Sequence, residues 1–134
     1  MNLSPRVALL VDDEAYFRRF VGQLLLKKHG FEQVIEARDG KEAMELFPIA
    51  KPDVVVLDIN MPRLDGIDTL QALRTLSATV PIIMLTSISD EMMVERCVEA
   101  GATYFIRKDV PAQNLTQELG DLLTEFTKNS PANP

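Results

Sequence analysis

Asp53-Val-Val-Val-Leu-Asp58-Ile-Asn-Met-Pro62-Arg-Leu-Asp-Gly66 decides how this chain is read. Residues 54–57 are apolar without interruption. A short run of this kind, closed by turn residues, fits a strand covered on both faces of a parallel sheet. The run ends on a carboxylate, Asp58, and Met61-Pro62 and Asp65-Gly66 then force a loop. Open α/β sheets place their ligands at the carboxyl ends of central strands, which is where Asp58 stands. Taken alone, Asp58 reads as a strand-ending residue that caps the next turn. Its company at the other strand ends changes that reading.

On the amino-terminal side, residues 6–11 read as a first strand that ends in Asp12-Asp13-Glu14. A helix over 14–29 follows, with Phe17, Phe20, Val21 and Leu24 at helical spacing and Gly30 as its stop. Residues 33–37 make a short second strand. Asp39 then caps a second helix, with Glu42 as its capping-box partner, and Pro48 closes it. Beyond the central stretch, Asp65 caps a third helix with Ile67, Leu70 and Leu73 on one side. Residues 80–85 form a fourth strand that ends in Thr86-Ser87. A helix over 90–100 is stopped by Gly101, and residues 103–107 form a fifth strand that ends at Lys108. Pro111 opens the last helix, whose Leu115, Leu119, Leu122 and Phe126 form one stripe. Strands alternating with helices imply an α/β class with a parallel sheet, right-handed crossovers and helices on both faces. Residues 1–5 read as a flexible lead, 6–128 as the domain, and 129–134 as a flexible tail or the start of a linker.

The 134 residues fit one domain with a real core. Apolar content of 46% and charged content of 25% belong to an ordinary soluble protein. A net charge of −6 and a pI near 4.8 argue against direct nucleic-acid binding by this domain. Its one cysteine, Cys97, excludes an internal disulfide. No signal peptide and no membrane-length apolar run are visible, so the expected location is the cytoplasm.

The chemistry lies in what ends each strand. Asp12 and Asp13 end the first, Asp58 the third, Thr86 the fourth and Lys108 the fifth. A parallel sheet gathers all carboxyl ends at one edge, so these groups should meet. Three neighbouring carboxylates stay ionised only if positive charge sits among them. Hard oxygen ligands suit Mg²⁺, with Mn²⁺ as a substitute. A carboxylate nucleophile, a divalent ion, a lysine and a hydroxyl donor together make a site for phosphoryl transfer onto Asp58.

From about residue 6 to 128 the chain resembles the receiver domains of response regulators, the phosphoacceptors of two-component signalling, and in particular their chemotaxis-regulator type. The resemblance is carried by Val-Asp12-Asp13-Glu, Leu-Asp58-Ile-Asn-Met-Pro62, Asp65-Gly66, Leu-Thr86-Ser and Gly101-Ala-Thr-Tyr-Phe105-Ile-Arg-Lys108. It implies a flavodoxin-like (βα)5 three-layer sandwich with strand order 2-1-3-4-5. It implies that Asp58 accepts a phosphoryl group from a sensor histidine kinase or phosphotransfer protein. Asp13, Asp58 and the backbone carbonyl of Asn60 would hold Mg²⁺, with Asp12 helping directly or through water. Lys108 and Thr86 would engage the phosphoryl group, and Phe105 would move inward as a switch when Thr86 shifts. The family most often has Pro after the lysine; Asp109 stands here, which argues against a cis peptide, since a non-proline one costs about 3 kcal/mol.

Plainer readings stand beside these. Phe105 also fits an ordinary core position, and Tyr104 should point to the opposite face. Cys97 reads as a small buried hydrophobe and His29 as a surface residue at a helix end. Arg18-Arg19 reads as a solvated helix face. Ile88 near the site mouth would hinder water and lengthen the phosphorylated state. Met92, Met93, Val94, Cys97 and Val98 cover more than one stripe of the fourth helix. With the fifth strand and last helix they offer an output face for an effector or a homodimer, or else simple core excess. Two rival classes are a phosphohydrolase with an aspartate nucleophile, against which Asn60 replaces the expected second acid, and a flavin domain, against which Asp12-Asp13-Glu14 would repel the phosphate.

Overall fold

The computed structural model describes residues 6–59, 65–87 and 91–128, with side chains to 125. In chain order the elements are β1 (Val7–Val11), α1 (Ala15–Lys28), β2 (Gln33–Ala37), α2 (Gly40–Ala50) and β3 (Val54–Asp58). They continue as α3 (Gly66–Leu76), β4 (Ile82–Thr86), α4 (Glu91–Ala100), β5 (Tyr104–Arg107) and α5 (Ala112–Lys128). The strands form one parallel sheet of order β2-β1-β3-β4-β5, as expected.

Strand alternation sorts the core into two layers. Leu9, Val55, Leu57, Ile82 and Met84 face α2, α3 and α4, where Phe47, Leu70, Leu73 and Cys97 meet them. Leu10, Val54, Val56, Ile83 and Leu85 face α1 and α5, where Phe17, Val21, Leu25, Leu115, Leu119 and Leu123 meet them. All five residues of β3 are buried, which is why its sequence shows no alternation. Burial pushes the Cys97 thiol above its ordinary pKa, in keeping with a core residue.

Five local expectations are corrected. Pro48 lies inside α2 rather than closing it. A proline removes its own N–H, but later donors still complete the turn: Lys51 N–H bonds Phe47 O at 3.0 Å, with Lys51 in the left-handed region at φ 47°. Asp39 caps α2 by accepting from Glu42 N–H, but Glu42 reaches back to Arg38 N–H, one residue before the cap. In α5, Leu123 joins Leu115 and Leu119 in the buried stripe and Leu122 packs against it only partly buried, while the side chain of Phe126 lies outside the described residues. Arg18 is no solvated residue: its Nε pairs Glu36 at 2.8 Å and its guanidinium donates to Asp12 O at 2.7 Å. His29 is likewise half-buried, its ring lying against Gly120 of α5.

Phe105 packs against the layer beneath α4, and Tyr104 against the opposite layer, as alternation requires. On α4, Met92 and Val98 are exposed and Met93 is half-buried. No cis peptide occurs among the described residues, so Lys108–Asp109 is trans, and Asp109 instead takes two hydrogen bonds from Arg107. No described helix is long and apolar enough to cross a membrane.

Candidate functional site: an acidic rim closed by Lys108

Strand register builds the site. Val11 stands opposite Leu57, so Asp12 is level with Asp58. Asp58 stands opposite Leu85, which puts Thr86 one residue further along β4. Thr86 pairs with Arg107, and Lys108 N–H donates to Thr86 O at 2.7 Å. Residues remote in sequence thus reach one edge because four parallel strands end together.

The carboxylates of Asp12, Asp13 and Asp58 each offer an oxygen within 4.8 Å of the others. Asp12 and Asp58 are buried, while Asp13 is exposed. Asp12 Oδ1 accepts from Glu14 N–H at 2.9 Å, which orients it. Lys108 crosses from β5 with its side chain buried. Its Nζ lies 2.9 Å from Asp12 Oδ2, 2.6 Å from Glu14 Oε1 and 3.6 Å from Asp58 Oδ2, and 4.4 Å from the Phe17 ring centroid.

Electrostatics follow from this crowding. Burial pushes the Asp12 carboxyl above its ordinary pKa, against the pull of the Glu14 N–H and of Lys108. Burial also pushes the Lys108 ammonium down, but hydrogen bonds to Glu14 and Asp12 and the field of Asp58 outweigh it. Lys108 is therefore held firmly charged. One ammonium faces four carboxylates, counting Glu14, so the rim keeps excess negative charge.

That excess is the test for a metal. Three convergent carboxylates, one of them exposed to solvent, fit a hard divalent cation that keeps part of its water shell. Asn60, expected to add its backbone carbonyl, lies outside the described residues, as does Ile88.

Gly66 explains the Asp65-Gly66 signal. Its N–H donates to Ile59 O at 2.8 Å, and a Cβ there would run into the Asp58 carbonyl oxygen and Ile59 Cα. Only glycine lets the start of α3 close against the end of β3, while Asp65 caps that helix through Asp68 N–H. Glu14 and Arg18 were not foreseen as parts of the rim. Glu14 is legible in hindsight as a poor capping residue placed straight after two aspartates.

The chain matches the response regulator receiver domain over residues 8–120. It is 40% identical over 122 residues to the transcriptional regulatory protein PdtaR of Mycobacterium tuberculosis, covering 91% of this chain and 58% of that relative. It is 36% identical over 115 residues to the chemotaxis protein CheY of Bacillus subtilis, covering 86% of this chain and 95% of that relative. Among solved structures it resembles the CheX–CheY–BeF3–Mg complex of Borrelia burgdorferi, with TM-score 0.79 and 29% identity, covering 88% of this chain and 89% of that one. An α/β phosphoacceptor module of two-component signalling is thus the class that fold and rim define. The chain belongs to the response regulator receiver domain family.

Proposed function

We propose that Asp58 is the phosphoacceptor and that the rim carries out a Mg²⁺-dependent transfer from a phosphohistidine of a sensor kinase or phosphotransfer protein. The observation that carries this reading is Lys108 Nζ lying between Asp12 and Asp58, beside three carboxylates whose oxygens fall within 4.8 Å. An Asp58 oxygen attacks phosphorus, the P–N bond breaks, and the electron pair leaves with the imidazole nitrogen. Lys108 supplies a fixed positive charge beside the phosphoryl oxygens, and Thr86 a hydroxyl donor one residue along the neighbouring strand. Asp12, Asp13, Asp58 and the Asn60 carbonyl would hold the cation, which when bound neutralises charge on the transferring group. Attack by water later regenerates the carboxylate and releases inorganic phosphate.

Thr86 and Phe105 form the switch in this reading. Both fall on the sheet face that carries α4, since Thr86 continues the alternation of Ile82 and Met84. A shift of Thr86 toward a phosphoryl group opens room for Phe105 and changes the α4–β5–α5 face, where Met92 and Val98 are exposed. That face would engage an effector or a second copy of the chain. The complex of the Borrelia relative with BeF3 and Mg supports the metal and phosphoryl assignments by analogy. We place the protein in the cytoplasm, where such a kinase presents its phosphohistidine. The chain spans little more than half the length of its PdtaR relatives, so any further output is part of the proposal and not of this domain.

Incubation with phosphoramidate and Mg²⁺, followed by intact-mass measurement, tests the reading. Wild type should gain one phosphoryl group, and Asp58→Asn or chelation should prevent it. Labelling of Asp58→Asn at the wild-type rate would refute the assignment.

A further inference from the structure

Glu14 sits at the N-cap of α1, with φ −93° and ψ 108°, but makes no capping hydrogen bond. Glutamate is a poor N-cap, and Ser, Thr, Asp or Asn would satisfy the free N–H groups better. Its carboxylate is committed elsewhere: Oε1 accepts from Lys108 Nζ at 2.6 Å. This is the shortest of the three Lys108 contacts, and the contact to Asp58 is the longest, at 3.6 Å. The Glu14 side chain is 51% exposed, whereas those of Asp12 and Asp58 are 0% and 2% exposed.

An ammonium has three N–H donors. Lys108 commits two of them, to Glu14 and Asp12, and stands 3.6 Å from Asp58, beyond hydrogen-bond reach, so drawing Nζ toward a phosphoryl group on Asp58 requires letting one of the two go. Releasing Asp12 would strand a buried charge, which is expensive. Releasing Glu14 returns a half-exposed carboxylate to water, which is cheap. Glu14 is therefore the contact Lys108 gives up.

We propose that Glu14 is a positioning residue that holds Lys108 back from Asp58 and so slows phosphorylation of this domain. The inference rests on Asp58 being the phosphoacceptor. Glu14 acts through Lys108. Removing the carboxylate leaves Asp12 as the one hydrogen-bonded anchor of Lys108 and lets its ammonium turn toward the phosphoryl oxygens.

The test uses phosphoramidate, whose protonated nitrogen leaves as ammonia while the Asp58 oxygen forms the new bond to phosphorus. Labelling is followed by intact mass at a Mg²⁺ concentration shown by titration to saturate each variant. Glu14→Gln keeps the shape and removes the charge, and should label about fivefold faster, the scale of one half-exposed ion pair. The same change in a Lys108→Ala background should bring no acceleration, because the residue it acts through is gone. An unchanged or slower rate in Glu14→Gln overturns the inference. So does equal acceleration in both backgrounds, which would mean general charge repulsion rather than placement of Lys108. Labelling of Asp58→Asn in the same series would instead overturn the phosphoacceptor assignment, so the two failures are distinguishable.

Discussion

Replacing Lys108 by methionine preserves the aliphatic stem over Phe17 and removes only the ammonium. The structure then leaves Asp12 and Asp58, both buried, without the cation that now lies 2.9 and 3.6 Å away. Stranding a buried charge costs about 3–5 kcal/mol, whereas the loss to half-exposed Glu14 adds about 0–1 kcal/mol. Mutual repulsion among Asp12, Asp13 and Asp58 pushes the same way. In EDTA at neutral pH, Lys108→Met should therefore lose about 3 kcal/mol, or about 10 °C of melting temperature for a domain of this size. Mg²⁺ should restore more of this loss than it adds to wild type, because the variant's rim carries one more uncompensated negative charge and binds the cation more tightly. The sign with pH is also fixed. Asp12 already has a folded pKa above its ordinary 3.8, and losing Lys108 raises it further. The folded state then binds more protons than the unfolded one above pH 3.8, so the variant's deficit should shrink as pH falls toward that value. Thermal unfolding with EDTA or Mg²⁺ at several pH values reads all of this. A variant that melts with wild type in EDTA, or gains no more from Mg²⁺ than wild type does, would refute the account of the rim as a charge-balanced cluster.

Gly66→Ala should destabilise the fold by about 2 kcal/mol or more and slow phosphorylation, since backbone atoms of Asp58 and Ile59 occupy the Cβ position; an unaltered melting curve would contradict this. Arg74 donates to the carbonyls of Gly101 at 2.8 Å and Val80 at 2.6 Å, tying the end of α3 to the end of α4 and to the approach of β4. Arg74→Ala should cost about 2–3 kcal/mol and raise amide exchange around Gly101, and unchanged exchange there would disprove the tie. Burial, then Arg6 and Lys28, hold the His29 imidazole below its ordinary 6.5, and its Nε2 is buried without a hydrogen-bond partner. The unfolded chain therefore binds the proton first as pH falls through 6.5, so stability should drop below that pH, and His29→Gln should flatten that part of the profile. Superimposable profiles would refute it.

The α/β class was legible because β1, β3 and β4 are apolar runs ended by a polar group, while the strand order came with the resemblance to receiver domains. The fully buried β3 and β4 show this most clearly, and both end at residues of the rim. The convergence of Asp12, Asp13, Asp58 and Lys108 followed from parallel topology alone, since strand ends share one edge. What local sequence could not convey is competition between partners. Glu14 looks like one more acidic residue before a helix until Lys108, 94 positions away, is seen to take its carboxylate. Arg18 reads as a surface residue until β2 brings Glu36 beside it. Pro48 misleads for a different reason: a proline removes one donor, but whether the helix continues depends on the donors after it.

The placement of the charges on the sheet has a consequence for signalling. Asp12, Asp58 and Lys108 continue the strand positions that face α1 and α5, in register with Leu10, Val56 and Ile106. Thr86 and Phe105 belong to the opposite face, beneath α4. Under the proposed assignment, a phosphoryl group on Asp58 would therefore be neutralised on one side of the sheet and read on the other. Only the rim, where strand ends leave both faces open, allows one group to reach both. Lys108 follows Thr86 in the ladder through its own N–H bond to the Thr86 carbonyl, so a pull on the lysine side chain would act on the backbone of the residue proposed to read the switch. If so, Glu14→Gln should alter amide exchange at Thr86 and Phe105 even without a phosphodonor, because it changes where Lys108 is drawn. Exchange there that matches wild type would mean that the two faces respond independently.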